Sequence, residues 1–374
     1  MQTYAYEFVR ELASRGYQVT VLTRAHEQGE VEVPGAKTIP LLVGRRQRDW
    51  TALRAVQVDA WHVMSAAYSW LALETGPVVA SVHGNDFLDP YPLVERPNLD
   101  RVPMLWRMLR RAGPLEIAWG RRLTYRTLHR SLPRIRHILA NSRYTERVLL
   151  QHYPECKGRT SAGMVGVADR FFRPRAGRPA DNALRLITVS RLTDRRKNVD
   201  IVIRALARLK DKYQFRYTVV GDGELRAELE QLARALDVGD RVNFVGFVSA
   251  EEVCRLLAES DLFVLVSSIN PGSHEGFGIA YLEANACGTP VLAARLAGAV
   301  EAVNENETGM FVDRPDVDTV AEVLGRFLSG QLRFDAEACR RFAREFSWSK
   351  VVDRAVAWYE PRAGESRAAN GRGM

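Results

Sequence analysis

Short β-branched runs alternate with amphipathic helical stretches along nearly the whole chain, and this alternation constrains the fold more than any other feature. Strands separated by helices pair in parallel and carry their helices on the sheet faces. The series opens with a helix over residues 4–15, where Tyr4, Phe8, Val9 and Leu12 share a face and Gly16 supplies the stop. Strands are predicted at "YQVTVLT" (17–23), "AKTIPLLV" (36–43), "VDAWHVM" (58–64), "PVVASVH" (77–83) and "HILANS" (137–142). The alternation lapses near residues 170–183, a stretch rich in Pro, Arg and Gly.

A second series follows: "LRLITVS" (184–190), a helix over 199–209, "FRYTVVG" (215–221), a helix over 224–236 and "RVNFVGFV" (241–248). A helix from Glu251 leads to "DLFVLVS" (261–267), then a helix over 278–287 and strands "PVLAA" (290–294) and "GMFVD" (309–313). Asp316 or Asp318 caps a helix, "TVAEVLGRFL", and residues 342–360 form a further helical stretch. The expected architecture is α/β: two doubly wound, Rossmann-like domains, 1–172 and 184–341, joined by a linker over 173–183. Residues 342–374 form a C-terminal helix and tail. A length of 374 residues suits two domains. Ligands bind outside the carboxyl ends of such strands, so two crevices are expected to face each other across a cleft.

Composition narrows the function classes. No run reaches the roughly 18–20 apolar residues that span a bilayer, and the N-terminus lacks a signal-peptide pattern. Cys156, Cys254, Cys287 and Cys339 have no metal-ligand spacing, which fits a reduced, cytoplasmic compartment. Residues 1–180 hold about 27 Lys and Arg against about 16 Asp and Glu, and the excess concentrates in residues 96–147. That basic region fits anionic lipid headgroups, with a peripheral place on the inner face of the plasma membrane, a phosphorylated acceptor, or a merely solvated Arg-rich face. No nucleic-acid motif accompanies it, so nucleic acid is not an expected partner.

The chemistry concentrates in "SHEGFGIAYLEANACGTPV" (273–291), which follows a buried strand and opens a helix. Glycines flanking Phe277 let the backbone approach a ligand, and free amides at a helix start suit a diphosphate. Glu275 precedes the helix and Glu283 lies within its second turn, so hydroxyls on both sides of a diphosphate could be held. Spacing alone also fits a glycine loop before an ordinary amphipathic helix. In "VSRLTDRRKNVD" (189–200), Arg191 sits past a strand end and Lys197 at the next helix start. Together they could neutralise a leaving nucleoside diphosphate, or form a solvated basic loop. "DVD" (316–318) reads as a helix cap rather than a metal motif, His274 as a loop histidine, and "GDGE" (221–224) as an incomplete phosphate loop.

In this order, the R–K pair, "VVGDGELR" (219–226), "VNFVGFV", "EGFGIAYLEANACGTPV" and "ENETGMFVD" resemble the family 4 retaining glycosyltransferases. The resemblance runs over nearly the whole chain and implies the two-domain GT-B fold, with "EFSWSKVV" (345–352) in a C-terminal helix that crosses back to the first domain. It implies transfer of a hexose from GDP-mannose or a UDP-sugar to a lipid-linked, polysaccharide or other glycan acceptor, with neither metal nor cofactor. By that resemblance Arg191 and Lys197 contact the diphosphate, and Gly276, Phe277, Gly278 and Ile279 cradle it. Glu283 holds the ribose, and Glu275 the transferred sugar. Val248 in "GFV" lies near the base, and His83 in "SVHGNDF" (81–87) matches the active-site histidine. Without the resemblance His83 reads as a satisfied strand-end histidine. A nucleotide-sugar-binding partner protein without turnover and a GT-B epimerase are the alternatives.

Two departures stand out. Family members open with a strand and a Gly-Gly loop, whereas Met1-Gln2-Thr3-Tyr4 already matches the start of the first helix. The expectation is that a form beginning roughly 15 to 20 residues upstream is the competent one. In "GMVGVADRFF" (163–172), Val165 and Ala168 replace the polar residues of the family's Pro-Asn-Gly-Val-Asp.

Overall fold

The computed structural model describes residues 2–24, 32–44, 46–89, 113–172 and 183–360. The expected linker, apart from residue 183, lies outside them, as do residues 96–112 of the Arg-rich stretch. The chain divides into two compact units, Met1–Met164 with Trp348–Met374, and Val165–Ser347.

The first unit begins with α1 (Gln2–Ser14), whose Tyr4, Phe8, Val9 and Leu12 are buried along one face as their spacing requires. Strands β1 (Val19–Arg24) and β2 (Ala36–Leu42) pair in parallel as a separate two-stranded sheet. Helix α2 (Arg46–Leu53) follows, and its Asp49 carboxylate accepts the Val43 and Gly44 amides. A second parallel sheet has the order β3 (Trp61–Val63), β4 (Val78–Val82), β5 (His137–Ala140), β6 (Thr160–Ala162). Among the described residues no pairing joins the two sheets. Short α3 (Asn85–Leu88) follows β4, α4 (Gly113–Ser131) precedes β5, and α5 (Arg143–His152) lies between β5 and β6. Leu128, Leu132, Ile138, Val78 and Trp70 anchor one core beneath them.

The second unit is one six-stranded sheet, all parallel, in the order β12-β11-β10-β7-β8-β9. Its elements run β7 (Leu184–Val189), α6 (Val199–Leu209), β8 (Phe215–Val220), α7 (Arg226–Ala235), β9 (Val242–Gly246) and α8 (Ala250–Ala258). They continue as β10 (Leu262–Leu265), α9 (Ile279–Ala286), β11 (Val291–Ala294), β12 (Gly309–Val312), α10 (Val317–Leu328) and α11 (Ala336–Arg344). Strands β10 and β11 are buried at every position, as parallel strands covered on both faces must be. The chain leaves β7 toward β8 on one side, and β10 pairs on the other. The carboxyl ends of β7 and β10 therefore bracket a topological switch point, the place where such sheets bind ligands.

Several expectations need correcting. The units divide at Met164 and Ser347 rather than at 172 and 341. Residues 165–172 belong with the second unit because Val167 N–H donates to the Phe346 carbonyl at 3.0 Å, while the Cys254 and Cys287 thiols face the Arg170 and Phe171 carbonyls. The stretch 342–360 is not one helix: α11 ends at Arg344, and α12 (Trp348–Val356) starts afresh in the first unit. There Arg15 bonds Asp353 and Ser349, and Tyr359 bonds His62 at 2.6 Å. Asp316, not Asp318, caps α10, accepting the Thr319 amide, and Asp318 pairs with Arg208. The "DVD" stretch is thus occupied with capping and pairing.

Candidate functional site

Three segments converge at the switch point of the second unit. The first follows β7. Arg195–Lys197 form a single 3-10 turn, capped by Asp194, whose carboxylate accepts the Arg196 amide. The turn fans its three cations apart. Arg195 points outward to Glu228, at 2.8 Å. Arg196 is buried, with Nη2 3.0 Å from Asp194 Oδ2. Lys197 Nζ lies 2.6 Å from Glu275 Oε2. Asn198 closes the turn in the left-handed region (φ 55°), and its side chain donates to the Val266 carbonyl and Ser268 Oγ, both at 2.7 Å. The turn is thereby fastened to the end of β10.

The second segment, 275–279, leads into α9. Gly278, at φ 91°, occupies the N-cap position without any side-chain hydrogen bond. Tyr281 N–H donates to the Gly278 carbonyl at 3.0 Å, while the Ile279 and Ala280 N–H groups are not consumed by a side-chain cap and carry the positive end of the helix. A Cβ on Gly278 would run into the ring of Tyr281, whose hydroxyl is pinned to the Leu265 carbonyl at 2.9 Å. Behind the loop, Gly298 N–H donates to the Glu275 carbonyl at 3.0 Å, and a Cβ there would strike Gly276. Phe277 is buried against Phe346. The Glu275 carboxylate also accepts from Ser267 Oγ at 3.2 Å. Burial pushes its pKa up, but the charge and hydrogen bond of Lys197, with Arg196 and Ser267, outweigh that and hold it below the usual value.

The third segment is "GDGE", and it is not a phosphate loop. Gly221 (φ 129°) and Gly223 (φ 154°) cross the loop that carries Arg191 so closely that a Cβ on either would meet Ser190 or Leu192 backbone. Leu192 N–H donates to Asp222 O, and Leu225 N–H to Leu192 O, both at 2.9 Å. These glycines brace the Arg191 loop. Arg191 is exposed and lines one depression with Lys197, Asp194 and Glu228.

The remaining expected residues are placed as follows. Ile279 starts α9, half-buried. Glu283, in the next turn, is half-buried, and no hydrogen bond holds its carboxylate among the described residues. Burial raises its pKa to about 7, against the pull of Arg170. Val248 is half-buried just past β9, beside Phe247, which is 90% exposed. His274 lies in the loop before α9, as its sequence position suggested, and is buried there.

His83 lies in the first unit, past the end of β4. Its amide donates to Asp86 Oδ1 at 2.9 Å, and its ring meets Tyr4 edge-on with centroids 4.8 Å apart. Its Nε2 is buried without a hydrogen-bond partner among the described residues. Burial lowers its pKa, with Asp86 opposing. A neighbouring chain of bonds runs from Tyr359 through His62 to Ser81, at 2.6 and 2.9 Å. The sequence reading missed Arg196, Asp194, Ser267 and Gly298; of these only the cap before a basic turn left a local signal.

Comparison with known proteins identifies the family and the fold. The family model described as Glycosyltransferase Family 4 matches residues 1–161, and that described as Glycosyl transferases group 1 matches residues 169–346. A D-inositol 3-phosphate glycosyltransferase of Geodermatophilus obscurus is 33% identical over 255 residues, covering 63% of this chain and 55% of the relative. The chain spans about half the length of the curated relatives it matches. Among solved structures, a sucrose-phosphate synthase from Thermosynechococcus elongatus aligns over 96% of this chain and 92% of its own, with a TM-score of 0.74 at 20% identity. Anabaena HepE in complex with UDP and glucose aligns over 95% and 94%, with a TM-score of 0.69 at 18% identity. The fold is GT-B, with two Rossmann-like domains. The two family models together span most of the sequence, and the chain belongs to the family 4 glycosyltransferases.

Proposed function

We propose that the chain is a retaining, metal-independent hexosyltransferase that moves a hexose from GDP-mannose or a UDP-sugar to a hydroxyl of a lipid-linked, polysaccharide or other glycan acceptor. The observation that carries this reading is the Lys197–Glu275 pair, 2.6 Å apart beside the uncapped first turn of α9. A cation, a carboxylate and free helical amides at one switch point match the phosphate and hydroxyls of a nucleotide sugar. Family membership supports it, as does the UDP and glucose complex of the structural relative HepE.

In this reading Arg191, Lys197 and the amides of residues 276–279 stabilise the leaving diphosphate. Glu275 accepts hydrogen bonds from the transferred sugar, and Glu283 from the ribose. Val248 borders the base. His83 is assigned to the transferred sugar by the family resemblance alone. A donor phosphate oxygen takes the acceptor's proton on the face the leaving group departs from, so configuration is retained. A screen of UDP- and GDP-sugars by thermal shift identifies the donor, because a bound ligand stabilises by mass action. With that donor, Glu275→Ala and Lys197→Ala are each expected to lower kcat at least about 100-fold with unchanged circular dichroism. Near wild-type turnover by either would sink the site assignment. Donor consumed without acceptor would indicate epimerisation; donor bound and never consumed would indicate a non-catalytic partner.

The outer face of α4 fits the anionic surface of the inner leaflet, giving the chain a cytoplasmic, peripheral place. Arg122, Leu123, Arg126 and Arg130 are exposed there at helical spacing, while Arg121 pairs with Asp89 at 3.0 Å. Among the described residues no helix is long and apolar enough to cross a membrane. Sedimentation with phosphatidylglycerol vesicles, abolished by R122E/R126E/R130E and by salt, is the expected result. Equal binding to neutral vesicles would refute it.

A further inference from the structure

Lys197 faces a conflict of duties. In the free protein it is bonded to Glu275 at 2.6 Å, yet it is also the cation assigned to the incoming diphosphate. Moving it wholly to the phosphate would leave a largely buried carboxylate without its partner, and stranding one member of a buried ion pair is heavily penalised.

Arg196 resolves the conflict. Its side chain is 4% exposed, and its Nη1 faces Glu275 Oε2 at 3.7 Å, close enough for charge but beyond a hydrogen bond. Among the described residues neither Nη1 nor Nε has a hydrogen-bond partner. The guanidinium cannot wander. Nη2 is held by Asp194, the Arg196 amide by the same carboxylate, and the Arg196 carbonyl by the Ser268 amide at 2.8 Å. Glu275 is fixed to the same strand end through Ser267. Arg196 and Glu275 are thus members of one rigid frame, whereas Lys197 is an ammonium on a flexible stem.

We propose that Arg196 is the standing counter-ion of Glu275, which releases Lys197 to pass from that carboxylate to the diphosphate of an arriving nucleotide. The proposal rests on reading this site as a nucleotide-sugar site. Arg196 is a positioning residue, since it acts through Glu275. The charged and titratable groups facing Glu275 are Lys197, Arg196 and the Tyr281 phenol. Burial and Glu275 both push Tyr281 well above its ordinary value, so it stays neutral across the working range.

The test is calorimetric titration of the full chain with UDP and with GDP at pH 5.5 to 8, in buffers of different ionisation enthalpy. Wild type is expected to bind one of them with only the pH dependence and proton exchange of the nucleotide's own terminal phosphate, which titrates at about pH 6, because Glu275 stays ionised before and after Lys197 moves. In R196Q the departing Lys197 leaves Glu275 alone, so binding takes up one proton more than in wild type. Affinity relative to wild type then falls about tenfold per unit rise in pH over the range where the carboxyl must be protonated. R196K, which restores a cation, recovers the wild-type profile. A wild-type pH profile and proton count in R196Q overturn the counter-ion role. Absence of UDP and GDP binding by wild type overturns the nucleotide-site reading itself, and the inference with it. Should R196Q not fold, the carbon-13 carboxyl signal of Glu275 in K197Q decides. It remains ionised down to pH 5.5 if Arg196 suffices, and titrates above pH 5.5 if it does not.

Discussion

Gly278→Ala tests whether the helix start at the centre of the site is set by backbone and ring contacts. Gly278 sits at φ 91°, and an added Cβ would strike the Tyr281 ring. A non-glycine residue in the left-handed region costs about 1–2 kcal/mol. Forcing a methyl group into a packed site costs about 1–3 kcal/mol more. The ring has little room to yield, because its hydroxyl is bonded to Leu265 and it meets the Phe263 ring in a T-shaped contact, centroids 5.8 Å apart. The sum is about 2–5 kcal/mol, and for a unit of this size it lowers the melting temperature by roughly 5–15 °C. Gly325 is the control. It lies inside α10 with Leu209 Cδ2 at 3.6 Å, an ordinary contact. Alanine there should stabilise by about 0.5–1 kcal/mol through lower backbone entropy in the unfolded chain and better helix propensity. Urea unfolding followed by circular dichroism measures both. A Gly278→Ala midpoint equal to wild type would refute the claim that this loop owes its shape to the missing Cβ.

Three further outcomes are expected. Burial raises the Glu283 carboxyl from 4.5 to about 7, so its contribution to stability is complete below pH 4.5 and is lost as pH rises through 7; Glu283→Gln should flatten urea-derived stability between pH 5 and 7 by up to about 1.4 kcal/mol per pH unit. Burial, aided by His83, lowers His62 from 6.5 to about 3, so neutral His62 stabilises the first unit above pH 6.5 and that stability is lost as pH falls toward 3; His62→Gln should lose less on acidification, whatever its stability at pH 8. Gly221→Ala should weaken nucleotide binding by about tenfold in calorimetry, the equivalent of about 1.4 kcal/mol, because it displaces the loop bearing Arg191.

What the sequence disclosed follows from how each element is buried. Strands β10 and β11 carry unbroken apolar runs because they are covered on both faces, and their place in the series was plain. Strand β6 (Thr160–Ala162) offers only small, half-buried residues, so no pattern marked it. Helix α11 is laden with arginine, and its buried positions are Cys339 and Ala343, too small to draw an apolar stripe. Across the break between α11 and α12, Phe346 and Trp348 continue an apolar spacing although they serve different units. Periodicity therefore ran two helices together.

The site was legible where one residue type has one use, and illegible where a type has several. On the proposed reading, Glu275, Glu283 and the glycine-flanked helix start are the groups that holding a diphosphate and its flanking hydroxyls requires. The run Arg195-Arg196-Lys197 gives three adjacent cations, and nothing in composition says which turns inward. The Asp194 cap and the left-handed Asn198 decide it by fixing a single tight turn, which sends Arg195 to Glu228, Arg196 into the interior and Lys197 to Glu275. The glycines show the same ambiguity from the other side. Gly278 was read as room for a ligand, and the structure gives it a second reason, the Tyr281 ring. Gly221 and Gly223 invited the phosphate-loop reading, and their reason is the Ser190–Leu192 backbone crossing them. Both demands, ligand approach and backbone crossing, ask only for an absent Cβ. They are told apart by what stands where the Cβ would be, and at Gly221 and Gly223 that is the chain itself.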